Sequence, residues 1–350
     1  MRRDLSRLYN FYKMRKAKYF QHLLEFKRPG GTSRGILHTK ETYILEISEN
    51  NKKGIGECGI FRDLSFDDVP EYEEKLKWLC ENINAEEDFI KDELKNFPSI
   101  WFGYEQAVLN LYQKENIYFP SDFTEGKKNI KINGLIWMGN ADFMEAQISE
   151  KLALGFNCLK LKIGVNWNSE KKILEKLREK FPAKELELRV DANGVFSFEE
   201  AEIVLDELSK LEIHSIEQPI KAGNFEKMKM LCAKTPTPIA LDEELIGIVN
   251  FEEKKKLLET IKPQFIILKP SLVGGFSGCD EWISLAENLK IGWWITSALE
   301  SNIGLNAIAQ YTFTKNNKMP QGLGTGALFT NNFETNLVLK NDELWFENKS

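Results

Sequence analysis

The stretch CLKLKIG (residues 158–164) sets two lysines two positions apart among apolar residues. Side chains alternate faces along a strand, so Lys160 and Lys162 emerge on one side and Leu159, Leu161 and Ile163 on the other. An amphipathic strand ordinarily turns its charged face to water, and the stretch alone leaves solvent and an interior site equally open. The sequence around it separates them. After residue 128, short apolar segments recur near 130–136, 158–163, 187–191, 213–217, 238–242, 265–269, 293–297 and 320–323, with helical periodicity between them. Eight strand–helix units at this period predict an α/β fold whose parallel sheet closes into a (β/α)8-type, TIM-like barrel. A doubly wound open sheet is the alternative, disfavoured because no G-x-G-x-x-G follows the first strand.

Ahead of the barrel, residues 15–60 alternate as antiparallel strands, and ENNKKG (49–54) supplies a turn. RPGGTSRG (28–35) is rich in glycine and hydroxyls and predicts a mobile loop, able to close over a ligand as a lid. Helical spacing follows over 70–96 and 101–114. These segments predict an α+β capping domain over 15–125 and a barrel over 126–324. Residues 325–350 return to strand-like alternation, with a turn at Lys340-Asn341-Asp342, and are expected to pack on the capping domain. Residues 1–14 form a possible flexible extension. They begin a segment with seven Lys/Arg and one Asp before Tyr19, which also admits a targeting peptide or a basic arm.

Hydrophobic residues make up 42% of the 350 and charged residues 29%, enough apolar surface for a large core. The net charge of −6 argues against nucleic acid or an anionic membrane as partner, and no apolar run reaches the ~18–20 residues that cross a bilayer. Five scattered cysteines without a C-x-x-C, and only three histidines, give a thiolate–imidazole zinc site no motif. Reduced, mostly buried thiols in a cytoplasmic protein are expected instead.

Ionisable residues occupy the C-terminal end of one barrel strand after another. Lys160 and Lys162 lie on the second, Asp191 and Asn193 on the third, Glu217 on the fourth, Asp242 on the fifth and Lys269 on the sixth. Counted from Lys162 the steps are 29, 26, 25 and 27 residues, so each holds an equivalent place in its unit, on the rim where barrel enzymes keep their active sites. A single strand-end acid is more often a cap than a ligand, but three in register with two flanking lysines reverse those odds. Three carboxylates on consecutive strands make a hard oxygen cage suited to Mg2+, with Mn2+ as an alternative. Glu243 and Glu244 complicate the fifth strand, since a one-residue slip would exchange Asp242 for Glu243, and the further glutamate is placed to contact the lysines. A carboxylate substrate on such a metal has an acidified α-proton. A lysine removes it only if its pKa falls from ~10.4 toward neutrality, and burial, the metal and a neighbouring ammonium all push that way.

KLKIG, RVDANG, IEQP, LDEE and LKPSLVGG, in this order, resemble the enolase superfamily in its muconate-lactonizing-enzyme-like subgroup. The resemblance spans nearly the whole chain. It implies that Asp191, Glu217 and Asp242 ligate the metal, that Lys162 is the general acid/base and that Lys269 is the lysine on the opposite face. Lys160 would tune Lys162 and touch the substrate carboxylate, and Asn193 would support the site. FKRPGGTSRGILHTKETY, GIGECGIFRDLSFDD and GLGTGALFTNNF resemble the o-succinylbenzoate synthase branch, which implies a dehydration in menaquinone biosynthesis. The small-molecule substrate would then be a carboxylate, 2-succinyl-6-hydroxy-2,4-cyclohexadiene-1-carboxylate. In TSALES (296–301), Ser297 and Ser301 would hold its succinyl carboxylate at a helix start, although serines cap helices for structural reasons at least as often. Arg34, in the loop at 28–35, is placed to meet a carboxylate. His214, three residues before Glu217, faces away from it on a regular strand and is expected to pack rather than act as a base. The same two lysines and metal also serve racemisation of an N-acylamino acid or epimerisation of a dipeptide, and the motifs do not separate these reactions. A catalytically silent barrel is disfavoured because all five polar groups are present.

Overall fold

The structure is a computed structural model that describes residues 14–32 and 35–348. Strands β1 (Lys16–Thr32), β2 (Gly35–Glu49) and β3 (Lys52–Cys58) form an antiparallel sheet, followed by helices α1 (Tyr72–Glu81), α2 (Glu87–Glu93) and α3 (Pro98–Leu111). Alternation in β2 sends Tyr43, Leu45 and Ile47 into one apolar cluster with Leu76, Leu79, Ile100 and Tyr104 of the helices. β3 crosses α3 so closely that a Cβ at Gly54 or Gly56 would stand 2.0 Å from a helix carbonyl oxygen. Glycine there is a packing requirement.

The expected loop at 28–35 is mostly strand. After a register shift between Glu25 and Gly30, the ladder resumes through Gly30–Leu37 and Gly31–Ile36 to Thr32–Gly35. Two of the glycines that suggested a loop, Gly30 and Gly31, instead resume the ladder after the irregularity. Arg34 lies outside the described residues, as do residues 1–13.

β5 (Gly134–Ile136), β6 (Cys158–Lys162), β7 (Glu187–Asp191), β8 (Ser215–Glu217), β9 (Ile239–Leu241), β10 (Phe265–Leu268) and β11 (Gly292–Ile295) form one parallel sheet in sequence order. The eighth segment is no full strand. Gln321 bridges Ile132 and Gly322 bridges Thr296, so two residues close the ring between the first and seventh strands. The first predicted strand is also divided. β4 (Ile130–Lys131) pairs antiparallel with the final hairpin, and only β5 joins the barrel.

Helices α4 (Ala141–Ala153), α5 (Trp167–Lys180), α6 (Phe198–Lys210), α7 (Phe225–Lys234), α8 (Phe251–Ile261), α9 (Gly275–Asn288) and α10 (Asn302–Thr314) cover the outside. Leu159, Leu161, Leu188, Val190 and Ile216 point outward into the core shared with these helices. That leaves Lys160, Lys162, Arg189 and Asp191 on the inward face. Side-chain caps fix several helix starts, with a full capping box at Ser197 and Glu200. Among the described residues no helix is long and apolar enough to cross a membrane, and the five cysteines are free, four of them buried.

The C-terminal return divides between two partners. Residues near 328–331 run along β1, with Phe26 bridged to Phe329 and Lys27 N–H donating to Leu328 O. The hairpin β12 (Leu337–Lys340) and β13 (Glu343–Phe346) instead pairs with β4 at the start of the barrel. Its two-residue turn is the expected Asn341-Asp342, with Asn341 left-handed at φ 56°.

Candidate active site

The parallel register lines up the charged residues. Lys162 lies opposite Asp191, and Asp191 opposite Glu217. Asp242 follows β9 directly and Lys269 follows β10 directly. Lys160 Nζ donates to Glu217 Oε2 at 2.8 Å and lies 3.3 Å from Asp191 Oδ2. Lys162 Nζ donates to Asp191 Oδ2 at 3.0 Å and to Asn193 Oδ1 at 2.7 Å. Lys269 pairs with Asp242 and stands 3.6 Å from Glu217 Oε1. The charged face raised by CLKLKIG is therefore interior.

Electrostatics follow from this interlocking. Burial alone would raise the Asp191 carboxyl, but Lys162, Lys160 and Lys269 outweigh it and hold Asp191 well below the usual carboxylate range. Glu217 goes the other way: burial and the neighbouring Asp191 push it up to about 7 against the pull of Lys160 and Lys269. Asp242 is raised too, by burial and Glu243 against Lys269. Desolvation opposes charge on Lys160 and Lys269, yet the surrounding carboxylates win and both are held cationic.

Among the described residues no three metal-binding side chains stand together as an open cage. The reason is geometric: the ammonium groups of Lys160 and Lys269 lie between the carboxylates, where they neutralise them. Glu217 Oε1 is nevertheless buried without a hydrogen-bond partner. An orphaned carboxylate oxygen flanked by Asp191 and Asp242 fits a hard divalent cation, whose charge would replace that of the lysines.

Gln218 and Glu170, unremarked in the sequence, hold this arrangement together with the two glutamates after Asp242. Gln218 Oε1 accepts from the backbone N–H groups of Asp242 and Glu244, and its Nε2 donates to Glu244, tying the ends of β8 and β9 together. Glu244 thus meets Gln218 and the Gly223 N–H rather than the lysines. Glu243 accepts from Asn193 Nδ2, which fixes the amide whose oxygen holds Lys162. Buried Glu170 accepts from the N–H groups of Gly164, Val165 and Asn166 and sets the loop after Lys162. The acid in the first turn after NWNS was the available signal for that role.

Ser297 lines the cavity and shares a hydrogen bond of 2.7 Å with Thr325. Ser301 does not reach the cavity. It is 0% exposed, its hydroxyl bonds to Glu57 of the N-terminal sheet, and it caps α10 by accepting from Ile303 N–H. Its expected contact with substrate is replaced by a joint between cap and barrel, because Glu57 already takes the N–H groups of Ser301 and Gly304. His214 packs against Phe265 and Trp294, as expected.

A small cavity, open to solvent, lies above the charged cluster. Lys160, Lys162, Asp191, Asn193 and Lys269 make its polar floor, and Phe61, Leu64, Leu135, Trp137 and Leu299 its apolar walls. A planar apolar ring bearing a carboxylate matches both surfaces.

Lysines flanking three carboxylates at the mouth of a parallel barrel are the arrangement of the enolase superfamily. The chain belongs to it: the enolase C-terminal domain-like family model matches residues 144–345. An o-succinylbenzoate synthase from Desulfotalea psychrophila is 45% identical, over 90% of this chain and 95% of that protein. The crystal structure of MenC from the same organism superposes with a TM-score of 0.84 at 40% identity, covering 95% of this chain and 99% of the other. A dipeptide epimerase from Enterococcus faecalis, complexed with Mg and a dipeptide, shares the fold at a TM-score of 0.82 but only 19% identity, covering 95% and 97%. Members of this superfamily use Mg2+.

Proposed function

We propose that this protein catalyses the o-succinylbenzoate synthase reaction, the loss of water from 2-succinyl-6-hydroxy-2,4-cyclohexadiene-1-carboxylate to give 2-succinylbenzoate. The observation that carries it is the 45% identity to a synthase along 90% of the chain, with the charged cluster intact. Asp191, Glu217 and Asp242 would hold Mg2+, or Mn2+, which when bound supplies positive charge beside the ring carboxylate and so acidifies the proton on the adjacent carbon.

Lys162, aligned by Asn193 and Asp191, takes that proton onto Nζ as the C–H bond breaks. The same ammonium then gives the proton to the departing hydroxide as the C–O bond breaks. Water leaves, the electron pair enters the ring, and aromatisation drives the step. Lys269 stays cationic beside the ring and stabilises its negative charge. Lys160, released from Glu217 and Asp191 when the cation takes their charge, would face the substrate carboxylate from the cavity floor. Ser297 offers a further hydroxyl at the cavity wall. The free, buried thiols suit a reducing compartment such as the cytoplasm.

Absorbance loss of the cyclohexadiene, with Mg2+ and then with excess chelator, tests this. Chelator-sensitive formation of 2-succinylbenzoate is expected, and a well-folded, Mg2+-loaded protein with no turnover would overturn it. Racemisation of N-acylamino acids or epimerisation of dipeptides is the second reading, favoured by lysines on both flanks. Substrate recovered from D2O without label at its α-carbon would refute that one.

A further inference from the structure

Glu300 is a fully buried acid that does not itself line the cavity. Its two oxygens join two different loops of the barrel mouth. Oε1 accepts from the Ser271 hydroxyl at 2.6 Å, and Oε2 accepts from the Ala298 N–H at 2.6 Å. Ser271, also fully buried, belongs to the turn that follows Lys269, whose carbonyl accepts from the N–H groups of Leu272 and Val273. Ala298 and Leu299 line the cavity after β11. One side chain therefore ties the turn behind Lys269 to the opposite loop.

The surroundings are built to keep this carboxylate where it is, although burying a charge is unfavourable. Leu299 is left-handed at φ 62°, a conformation that strains a residue with a Cβ and persists only where neighbours impose it. The bond from Ala298 N–H to Glu300 spans that residue. Gly59, directly after β3, makes room for the acid, since a Cβ there would stand 3.0 Å from Glu300 Cγ. Lys40 of β2 is buried with no hydrogen-bond partner on its ammonium and offsets the charge of Glu57 and Glu300. The capping sheet thus supplies both the space and the counter-charge.

The tie matters most when Lys269 loses its present partners. Its ammonium pairs with Asp242 and stands 3.6 Å from Glu217, the carboxylates that would hold the cation. With a cation drawing their charge, the backbone turn is what remains to place Nζ. We propose that Glu300 is a positioning residue for Lys269: by holding Ser271 and Ala298 together it sets the Lys269 ammonium against the apolar wall at Leu299. Its effect on rate rests on the synthase reading; its effect on geometry does not.

Ser271→Ala cuts one end of the tie. Glu300→Gln keeps both ends, its amide oxygen accepting from Ala298 N–H and its amide nitrogen donating to the Ser271 hydroxyl. Displacing a group by roughly 1 Å costs up to ~10²-fold in rate, and Lys269 acts on charge that develops in the transition state. Ser271→Ala should therefore lower kcat about 10–100-fold with KM unchanged. Glu300→Ala should lose at least as much, and Glu300→Gln should restore kcat to near the wild-type value. Crystal structures grown with Mg2+ should show Lys269 Nζ displaced in Ser271→Ala and in place in Glu300→Gln. A merely structural bond would lower the urea midpoint of Ser271→Ala at unchanged kcat. That result, an undisplaced Lys269, or a Glu300→Gln protein as impaired as Glu300→Ala would overturn the proposal and leave the synthase reading standing. Wild-type protein that does not convert the cyclohexadiene, with Lys269 displaced in Ser271→Ala, would overturn the synthase reading alone; with Lys269 undisplaced, both would fall.

Discussion

Replacing Lys162 with alanine should abolish turnover while leaving the barrel folded. Lys162 Nζ makes two bonds, 3.0 Å to Asp191 and 2.7 Å to Asn193. Breaking a buried ion pair typically costs about 3–5 kcal/mol when the surviving charge is left alone. Asp191 is not left alone, because Lys160 remains at 3.3 Å and the Asn193 N–H at 3.1 Å. The expected loss of stability is therefore nearer ~2 kcal/mol, the scale of one charged hydrogen bond. The kinetic cost is larger. A single acid–base group contributes ~10²–10⁴-fold, and Lys162 would serve twice, once as base and once as acid, which places the loss in kcat at about 10⁴-fold, or ~5.5 kcal/mol. Lys162→Arg keeps the cation but cannot release its proton near neutral pH. It should preserve the urea midpoint and remain inactive. The assay follows cyclohexadiene absorbance, with the product quantified by chromatography and the fold checked by circular dichroism. A kcat within tenfold of wild type in a folded Lys162→Ala protein would remove Lys162 from the mechanism.

Ser301→Ala should destabilise the protein by about 1–2 kcal/mol through the lost cap and the lost hydrogen bond to buried Glu57, with KM unchanged; a raised KM at wild-type stability would restore Ser301 as a substrate contact. Burial pushes Glu105, which accepts from Phe276 and Ser277 N–H at the start of α9, up to about 7 from 4.5. The folded state then keeps a proton that the unfolded chain has lost, so stability falls as pH rises between 4.5 and 7. This group contributes at most roughly 3 kcal/mol to that fall, and Glu105→Gln should flatten the difference in urea stability between pH 5 and pH 8; an unchanged slope would refute it. Mg2+ at about 100 times its Kd should stabilise the fold by about 2.7 kcal/mol, and Glu217→Gln should abolish most of that shift. An equal shift in the variant would exclude Glu217 as a ligand.

The alternation of CLKLKIG and the steps of 25–29 residues between strand ends are local properties of the chain. They determined the barrel, the inward face of Lys160 and Lys162, and the convergence of Asp191, Glu217, Asp242 and Lys269, because equivalent positions in repeated strand–helix units fall at equivalent places around a ring. Which partner satisfies a buried polar group is not local. Ser301 looked like a ligand for substrate until Glu57, 244 residues earlier, occupied its hydroxyl. Glu105 meets the start of α9 across a separation of 171 residues. The eighth segment is reduced to two bridging residues and β4 pairs with the C-terminal hairpin, pairings that alternation in either segment alone cannot specify. Only the tertiary structure decided these, since they depend on how the N-terminal sheet, the tail and the barrel close on one another.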